Sequence, residues 1–399
     1  MNFILFLLIA LSILYGYIGI RVIVPLRYGL AAKLGLVCLL ILFLLLPPLS
    51  IFLRVNDIEN RFAEFISWSG YLTMGYITLS FTLLFMKDTG LATFGIARFV
   101  HSIFKKLGNK HEPVSEIPDP ERRAFLMNSL NMAVLGTSGA LTMYGFFQAR
   151  NIPNIKNIPV YFPGLPKSLE GFRIAQITDL HVGPTLKRSF VEGVVDQISL
   201  LNPDAIVVTG DLVDGKVEYL RHDTYPLSEL YAPYGRYFVT GNHEYYSGVH
   251  RWLEEIDRLG FTVLNNEHRV INKGDGSILM AGVTDYRMGR YLPGQESSPP
   301  KALAGSPLCD LKILLAHQPA SIFESSGAGF DFQISGHTHG GQYFPANIVF
   351  EPFHPYISGL HMHDNTWIYV SSGTGYWGPP LRLGVPSEIT LFTLKSVPV

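Results

Sequence analysis

The chain has 399 residues, of which 48% are hydrophobic, and its 31 basic residues nearly balance 32 acidic ones. This length allows about two or three domains. The balanced charge and the lack of a basic run argue against nucleic acid as a partner. The two cysteines, Cys38 in an apolar run and Cys309 far from it, argue against a disulfide framework.

Apolar runs dominate the first 150 residues and predict about four transmembrane helices. They lie near residues 3–20, 34–53, 65–86 and 125–147, and the last is diluted by Gly, Ser and Thr. Each run is close to the roughly 20 residues that a helix needs to cross a membrane. The first could instead be a signal peptide, but it lacks a basic n-region and further apolar runs follow it. We therefore predict a multi-span membrane domain over residues 1–149.

Loop charge predicts how this domain is oriented. The loops after the first and third runs are basic, whereas two arginines in the second loop are offset by acidic residues. The positive-inside rule then places the basic loops in the cytoplasm. With four spans, everything after Phe147 lies on the extracytoplasmic side. If the fourth run does not insert, the large C-terminal domain stays cytoplasmic.

Three further segments precede the second half of the chain. Arg122 and Arg123 in "ERRAFLM" resemble a twin-arginine export signal, although paired arginines before a span also act as positive-inside anchors. "ATFGIARFVHSIFKKLG" mixes aromatic and basic residues, which predicts a helix on the membrane surface. The prolines of "RNIPNIKNIPVYFPGLP" predict an extended linker over residues 150–170.

From residue 171 onward, short apolar runs alternate with helical patterns. "RIAQIT", "AIVVTG", "YFVTG", "KILLAH" and "FQISG" are typical of strands, and amphipathic segments separate several of them. This alternation predicts an α/β domain over residues 171–399, with sheets covered by helices.

Five of these strands end in side chains that can bind a metal ion. The side chains are Asp179 and His181, Asp211 and Asp214, Asn242 and His243, His317, and His337 and His339. Because strand ends in α/β sheets converge on one crevice, we expect these side chains to meet. Carboxylate, imidazole and amide ligands suit Mn, Fe or Zn, and this many ligands suit two adjacent ions that share a carboxylate.

The ordered motifs "DLH", "GDLVD", "GNHE", "AH" and "GHTH" resemble those of the calcineurin-like metallophosphoesterase superfamily. The longer stretches "GNHEYYSG" and "SGHTHGGQ" resemble its membrane-attached branch, related to lipid-A-precursor hydrolases. The resemblance implies a four-layer αββα sandwich that hydrolyses phosphoesters with two divalent ions. It assigns Asp179, His181 and His339 to one ion, Asp211 to both, and Asn242, His317 and His337 to the other.

The same resemblance implies catalytic and substrate roles for three other residues. It places His243 near the leaving oxygen, and Asp214 where it orients a ligand or His243. Arg382 would lie near the site, where it either holds a phosphate or pairs with Glu388. Apart from the resemblance, Tyr245 and Tyr246 either line a substrate groove or simply pack. Separately, His361 and His363 form an H-x-H pair that is either plain surface or a surface ion site.

Taken together, the sequence predicts a membrane-anchored phosphomono- or diesterase that acts by attack of a metal-bridging hydroxide. Its substrate would be lipid-like or linked to the cell envelope, because four spans exceed what a tether requires. One alternative is a cytoplasmic-facing pyrophosphate hydrolase of the UDP-2,3-diacylglucosamine type. Another is a non-catalytic membrane protein whose domain binds metal as a sensor or scaffold.

Overall fold

The computed structural model describes residues 2–107, 119–288 and 292–397. They form two compact units, Met1–Tyr144 and Gly145–Val399. The division therefore falls five residues before the predicted end of the membrane domain at residue 149, within a continuous helix.

The first unit is helical, as its long apolar runs predict. Its elements are α1 (Asn2–Ile18), a π-helical turn (Gly19–Ile23), α2 (Leu30–Val55), α3 (Arg61–Leu107) and most of α4 (Pro120–Arg150). Within the described residues, three segments are long and apolar enough to cross a membrane: Leu5–Ile23, Leu30–Val55 and Arg61–Lys105. The 31-residue α4 has the length, but polar and small residues dilute its apolar character. The fourth span therefore stays a prediction.

The segment predicted to be a helix on the membrane surface is helical and continues the third candidate span. α3 runs for 47 residues without interruption, which corresponds to about 70 Å, more than twice the hydrocarbon core of a bilayer. The exposed Phe94 and Phe99 lie in this continuation. Lys110, one of the basic residues of the third loop, falls outside the described residues.

A charged cluster joins four elements of the first unit. Arg21 Nε lies 2.7 Å and Lys87 Nζ 3.1 Å from the carboxylate of Asp88. Tyr17 donates its hydroxyl to the same carboxylate, and Asn131 Nδ2 donates to the Arg21 carbonyl over 2.8 Å. Because ionisable side chains in an apolar setting are costly unless paired, these bonds let Lys87 and Asp88 lie largely buried.

The second unit alternates strands and helices. Its strands are β1 (Asn154–Phe162), β2 (Arg173–Ile177), β3 (Ala205–Thr209), β4 (Arg236–Val239), β5 (Thr262–Val263), β6 (Glu267–Lys273), β7 (Gly276–Gly282), β8 (Leu311–Leu315), β9 (Phe332–Ser335), β10 (Gly359–His363), β11 (Thr366–Val370) and β12 (Glu388–Ser396). Its helices are α5 (Arg188–Leu201), α6 (Val217–Thr224), α7 (Asn242–Tyr246), α8 (Val249–Arg258), α9 (Pro299–Leu303), α10 (Ile322–Ala328) and α11 (Ala346–Val349).

These strands form two mixed six-stranded sheets. The first has the order β1-β12-β2-β3-β4-β5 and the second the order β10-β11-β9-β8-β7-β6. Successive residues of a strand serve opposite faces: Ile174 packs between the sheets, whereas Ala175 packs with the helices α5, α6 and α8. In the second sheet Ile278 faces the first sheet, and Leu279 packs towards α9. The two sheets with helices on their outer faces confirm the predicted αββα sandwich.

The predicted linker over residues 150–170 is wrong in one respect. It contains β1, whose nine residues pair in parallel with β12 at the edge of the first sheet. The alternating apolar residues of "NIKNIPVYF" fit a strand, with Val160 and Phe162 buried between the sheets. Pro159 is tolerated because an edge strand needs hydrogen bonds on only one side.

Candidate metal centre

The ends of five strands bring the predicted ligands to one crevice between the sheets. Asp179 follows β2, Asp211 follows β3, and Asn242 follows β4 at the start of α7. His317 follows β8 and His337 follows β9, so the second sheet supplies the remaining imidazoles. The site is thus built from turns that rigid parallel strands hold in place.

Strained backbone accompanies these ligands. Five of them have positive φ angles near 50–75°: Asp179 (52°), His181 (51°), Asp211 (51°), His337 (73°) and His339 (51°). Such conformations cost about 1–3 kcal/mol each for residues other than glycine and persist only when the surrounding structure imposes them. The turns therefore hold these side chains towards the crevice at the expense of stability.

The first group of ligands comprises Asp179, His181 and His339, whose ligand atoms all lie within 4.8 Å of one another. The Nε2 atoms of His181 and His339 are 3.1 Å apart, and His339 Nε2 lies 3.5 Å from Asp179 Oδ1. The His337 amide donates to the Asp179 carboxylate over 3.0 Å, and the Thr178 hydroxyl donates over 2.7 Å. These bonds orient Asp179 towards the two imidazoles.

The second group comprises Asp211, His317 and His337. His317 Nε2 lies 3.1 Å from Asp211 Oδ2 and 3.1 Å from His337 Nδ1. His317 Nδ1 is 2.8 Å from the carbonyl oxygen of Thr209. Because a carbonyl can only accept, Nδ1 carries the hydrogen and Nε2 of the neutral ring is left as a ligand atom.

Asn242 adds a test of whether a metal fits. Its side-chain oxygen is buried and accepts no hydrogen bond from the part of the chain that the structure describes. A buried carbonyl without a partner is costly, and a cation in the crevice would satisfy it. Together with two carboxylates and four imidazoles, this oxygen makes a donor set suited to borderline divalent metals. The residues present therefore fit divalent cations.

Electrostatics favour the cation-binding forms of Asp211 and His339. Burial opposes ionisation of Asp211, but His317 and His243 beside it hold the pKa of its carboxyl well below the usual range. Burial, with His181 and Arg382 nearby, holds the pKa of His339 well below its usual value. A carboxylate and a neutral imidazole are the states that coordinate metals.

His243 is held between two carboxylates. Its Nδ1 is hydrogen-bonded to Asp214 Oδ1, and its backbone amide donates to Asp211 Oδ1 over 2.8 Å. Burial lowers the pKa of His243, but Asp211 and Asp214 outweigh it and raise this pKa to about 9. Asp214 Oδ1 also lies 3.3 Å from His181 Nδ1. The sequence left open whether Asp214 orients a metal ligand or His243. In the structure, Asp214 contacts the rings of both His181 and His243.

Glu244 is a structural residue to which sequence analysis assigned no role. Its fully buried carboxylate accepts hydrogen bonds from the amides of Gly241 (2.6 Å), Leu212 (2.8 Å) and Asp211 (3.0 Å). It therefore ties the turn after β3 to the turn after β4, and so fixes Asp211 relative to Asn242. The "GNHE" motif drew attention to this position. The role of Glu244 could not be read from the motif, because its partners on the β3 turn are backbone amides more than 30 residues away.

The side chains of both predicted substrate contacts are hydrogen-bonded within the protein. Arg382 is only 1% exposed, and its guanidinium donates to the carbonyls of Ser372 (2.7 Å) and His339 (3.2 Å), with Nη2 3.3 Å from His339 Nδ1. It supports the turn that carries His339 instead of presenting its donors to a phosphate. Tyr245 is partly buried and donates to Gln295 Oε1 over 3.1 Å, which is the packing alternative.

The H-x-H pair is engaged in local hydrogen bonds. His361 Nε2 donates to the Ser358 carbonyl over 2.7 Å, and His363 Nδ1 is 3.1 Å from the Tyr356 hydroxyl. The Tyr356 ring stacks on His361 at 4.7 Å. This arrangement favours the plain-surface interpretation over an ion site.

Comparison with known proteins agrees with this site. The family model for calcineurin-like phosphoesterases matches residues 172–341. A "Transmembrane protein with metallophosphoesterase domain" from Danio rerio is 38% identical over 65% of this chain and 61% of its own length. An uncharacterized metallophosphoesterase from Helicobacter pylori is 38% identical over 68% of this chain and 72% of its own length. The fold, the site and these matches together show that the chain belongs to the calcineurin-like phosphoesterase family.

Solved structures resemble the chain only distantly. A 5'-nucleotidase precursor from Thermus thermophilus aligns with a TM-score of 0.36 and 15% identity, over 56% of this chain and 54% of that one. A likeness at this level carries no argument about activity.

Proposed function

We propose that the protein is a membrane-anchored hydrolase of phosphomono- or diesters with a centre for two divalent metal ions. The observation that carries the proposal is the position of Asp211. Its carboxylate belongs both to the group with His317 and His337 and to a group with His181 and His243. A carboxylate shared in this way is what two adjacent cations require.

The chain's own residues divide the work of hydrolysis. Asp179, His181 and His339 would hold one ion, and Asn242, His317 and His337 the other, with Asp211 between them. Such a pair supplies positive charge to the phosphoryl oxygens and makes water a competent nucleophile at neutral pH. His243, oriented by Asp214, presents Nε2 on the side of Asp211 Oδ2, 4.0 Å away. We assign it to proton delivery to the leaving oxygen.

Hydrolysis of simple esters tests this proposal. The purified full-length protein with Mn²⁺ is expected to cleave an aryl phosphodiester or an aryl phosphomonoester. A chelator should remove the activity and added Mn²⁺ should restore it, because the family is metal-dependent. Tight metal binding without cleavage of either ester would support the sensor or scaffold alternative instead.

The substrate is proposed to be amphiphilic and linked to a lipid or the cell envelope. Three helices apolar enough to span a membrane keep the chain at the bilayer, where such substrates are concentrated. We place the catalytic domain on the extracytoplasmic side, which requires α4 to cross as well. Its 31 residues extend over about 46 Å, enough for the hydrocarbon core.

Reporter fusions test the orientation. Alkaline phosphatase fused after Val399 is expected to be active, since that enzyme requires export, whereas fusion in the loop after Tyr28 should be inactive. Inactive alkaline phosphatase after Val399, together with an active cytoplasmic reporter fused at the same place, would contradict this orientation. It would favour the cytoplasmic-facing alternative, a pyrophosphate hydrolase of a nucleotide-linked lipid such as UDP-2,3-diacylglucosamine.

A further inference from the structure

Two exposed aromatic side chains flank the proposed proton donor. The ring of Tyr246 meets His243 edge-on at a centroid distance of 5.3 Å, and that of Trp377 meets it edge-on at 5.6 Å. Tyr246 is 66% exposed and Trp377 is 44% exposed. Other tyrosines of this domain are also exposed, Tyr231 among them, but these two rings are distinguished by meeting at the one proposed proton donor.

The position of Trp377 is fixed by hydrogen bonds to its backbone. Gln342 accepts from the Trp377 amide over 2.9 Å and donates to the Trp377 carbonyl over 3.0 Å. The Gln342 side chain is buried and also donates to the Pro379 carbonyl over 2.9 Å. Gln342 follows His339 by three residues, so the turn that carries a predicted ligand also positions this ring.

The position of Tyr246 is set by the helix that carries the proposed proton donor. Tyr246 ends α7, which begins at Asn242 and includes His243. Its neighbour Tyr245 on the same helix is partly buried and bonded to Gln295. Successive residues of a helix point about 100° apart. The helix therefore packs one tyrosine and leaves the next at the mouth of the crevice.

We propose that Tyr246 and Trp377 form a subsite that binds a planar aromatic or heteroaromatic ring on the leaving group of the substrate. The inference rests on the proposed function, which places the leaving oxygen at His243. Whatever departs from that oxygen must lie beside the two rings that contact this histidine. Aromatic side chains bind planar rings by stacking and edge contacts with ordered geometry, and ligand sites are commonly lined in this way.

Phenyl and cyclohexyl esters of phosphate test the subsite. They match in size but differ in planarity, and comparing each variant with wild type on the same ester cancels intrinsic reactivity. Trp377→Ala is expected to raise KM for the phenyl ester about ten-fold with kcat within about two-fold, because stacking acts mainly on binding. Its KM for the cyclohexyl ester should rise much less. Tyr246→Ala should act in the same direction, and Trp377→Phe should retain most of the selectivity.

Controls separate the subsite from general damage. Tyr231→Ala removes a 78% exposed tyrosine outside the site and should leave both KM values unchanged, and all variants should retain wild-type metal content. Equal changes for the two esters, or none in either alanine variant, would overturn the subsite.

Binding of phenylphosphonate and cyclohexylphosphonate to the Mn²⁺-loaded protein distinguishes failure of the subsite from failure of catalysis. A preference for the phenyl compound that Trp377→Ala abolishes would support the subsite even if neither ester is cleaved. No preference between the two would overturn it, whether or not the esters are hydrolysed.

Discussion

Asp211→Asn is expected to reduce hydrolysis by at least about a thousand-fold, since it removes several kcal/mol of charge compensation between two cations. An amide at this position keeps the size of the side chain but loses the negative charge. The change also replaces one acceptor oxygen of the side chain with a donor group. Both oxygens are engaged in the structure, because the His243 amide donates to Oδ1 and His317 Nε2 lies beside Oδ2. Metal content measured on the purified protein should fall together with turnover.

Asp196→Asn is the matched control for this change. Asp196 is exposed on α5 and is not among the predicted ligands, so its replacement should leave metal content and turnover unchanged. Turnover equal to wild type in Asp211→Asn would remove the catalytic assignment.

Gly336→Ala is expected to destroy the site without removing any ligand. A Cβ atom at Gly336 would lie 2.1 Å from Thr178 Oγ1 and 2.2 Å from Asp179 Oδ2. The Gly336 amide donates to the His317 carbonyl over 3.0 Å. Moving the backbone that carries His337 away from the clash would therefore break this hydrogen bond. We expect a loss of about 3 kcal/mol of stability, together with loss of metal and activity.

The thermal unfolding midpoint and metal content of the full-length protein in detergent measure this effect. Gly327→Ala provides the comparison, because Gly327 lies in α10 with open space around its Cβ position. Helical glycine-to-alanine changes of this kind are neutral or slightly stabilising. An unchanged midpoint and metal content in Gly336→Ala would show that the crevice is less tightly packed than its geometry indicates.

The fold and the clustering of the candidate ligands were predictable because they follow from local patterns. Short apolar runs indicated the strands, and polar residues at their ends indicated the crevice, where Asp179 and His337 now lie hydrogen-bonded although 158 residues apart. The metal role of each residue stays a prediction, to which the buried, unpaired oxygen of Asn242 adds support.

What sequence could not predict depends on non-local partners. Arg382 is a charged residue in a glycine-rich loop, and only the fold shows its donors bound to the carbonyls around His339. Glu244 acts through backbone amides of another strand's turn. Which of Tyr245 and Tyr246 faces the crevice depends on how the five-residue helix α7 is oriented about its axis. So short a helix has too few residues to show a hydrophobic period in the sequence.

The segment that its prolines misassigned illustrates a second limit. Prolines in residues 150–170 indicated a spacer, but an edge strand accepts Pro159, and β12, more than 200 residues later, supplies its pairing partner. The basic aromatic segment that was predicted to be a helix on the membrane surface is helical to Leu107 as part of α3, and its place relative to a membrane stays a prediction.

The most direct test is electron paramagnetic resonance of the full-length protein loaded with Mn²⁺. Two manganese ions joined through Asp211 are expected to give the spectrum of a spin-coupled pair, at two ions per chain. The Asp211→Asn protein should lose that spectrum. A wild-type protein that binds only isolated, uncoupled manganese would show that no shared carboxylate holds a pair of cations in this crevice.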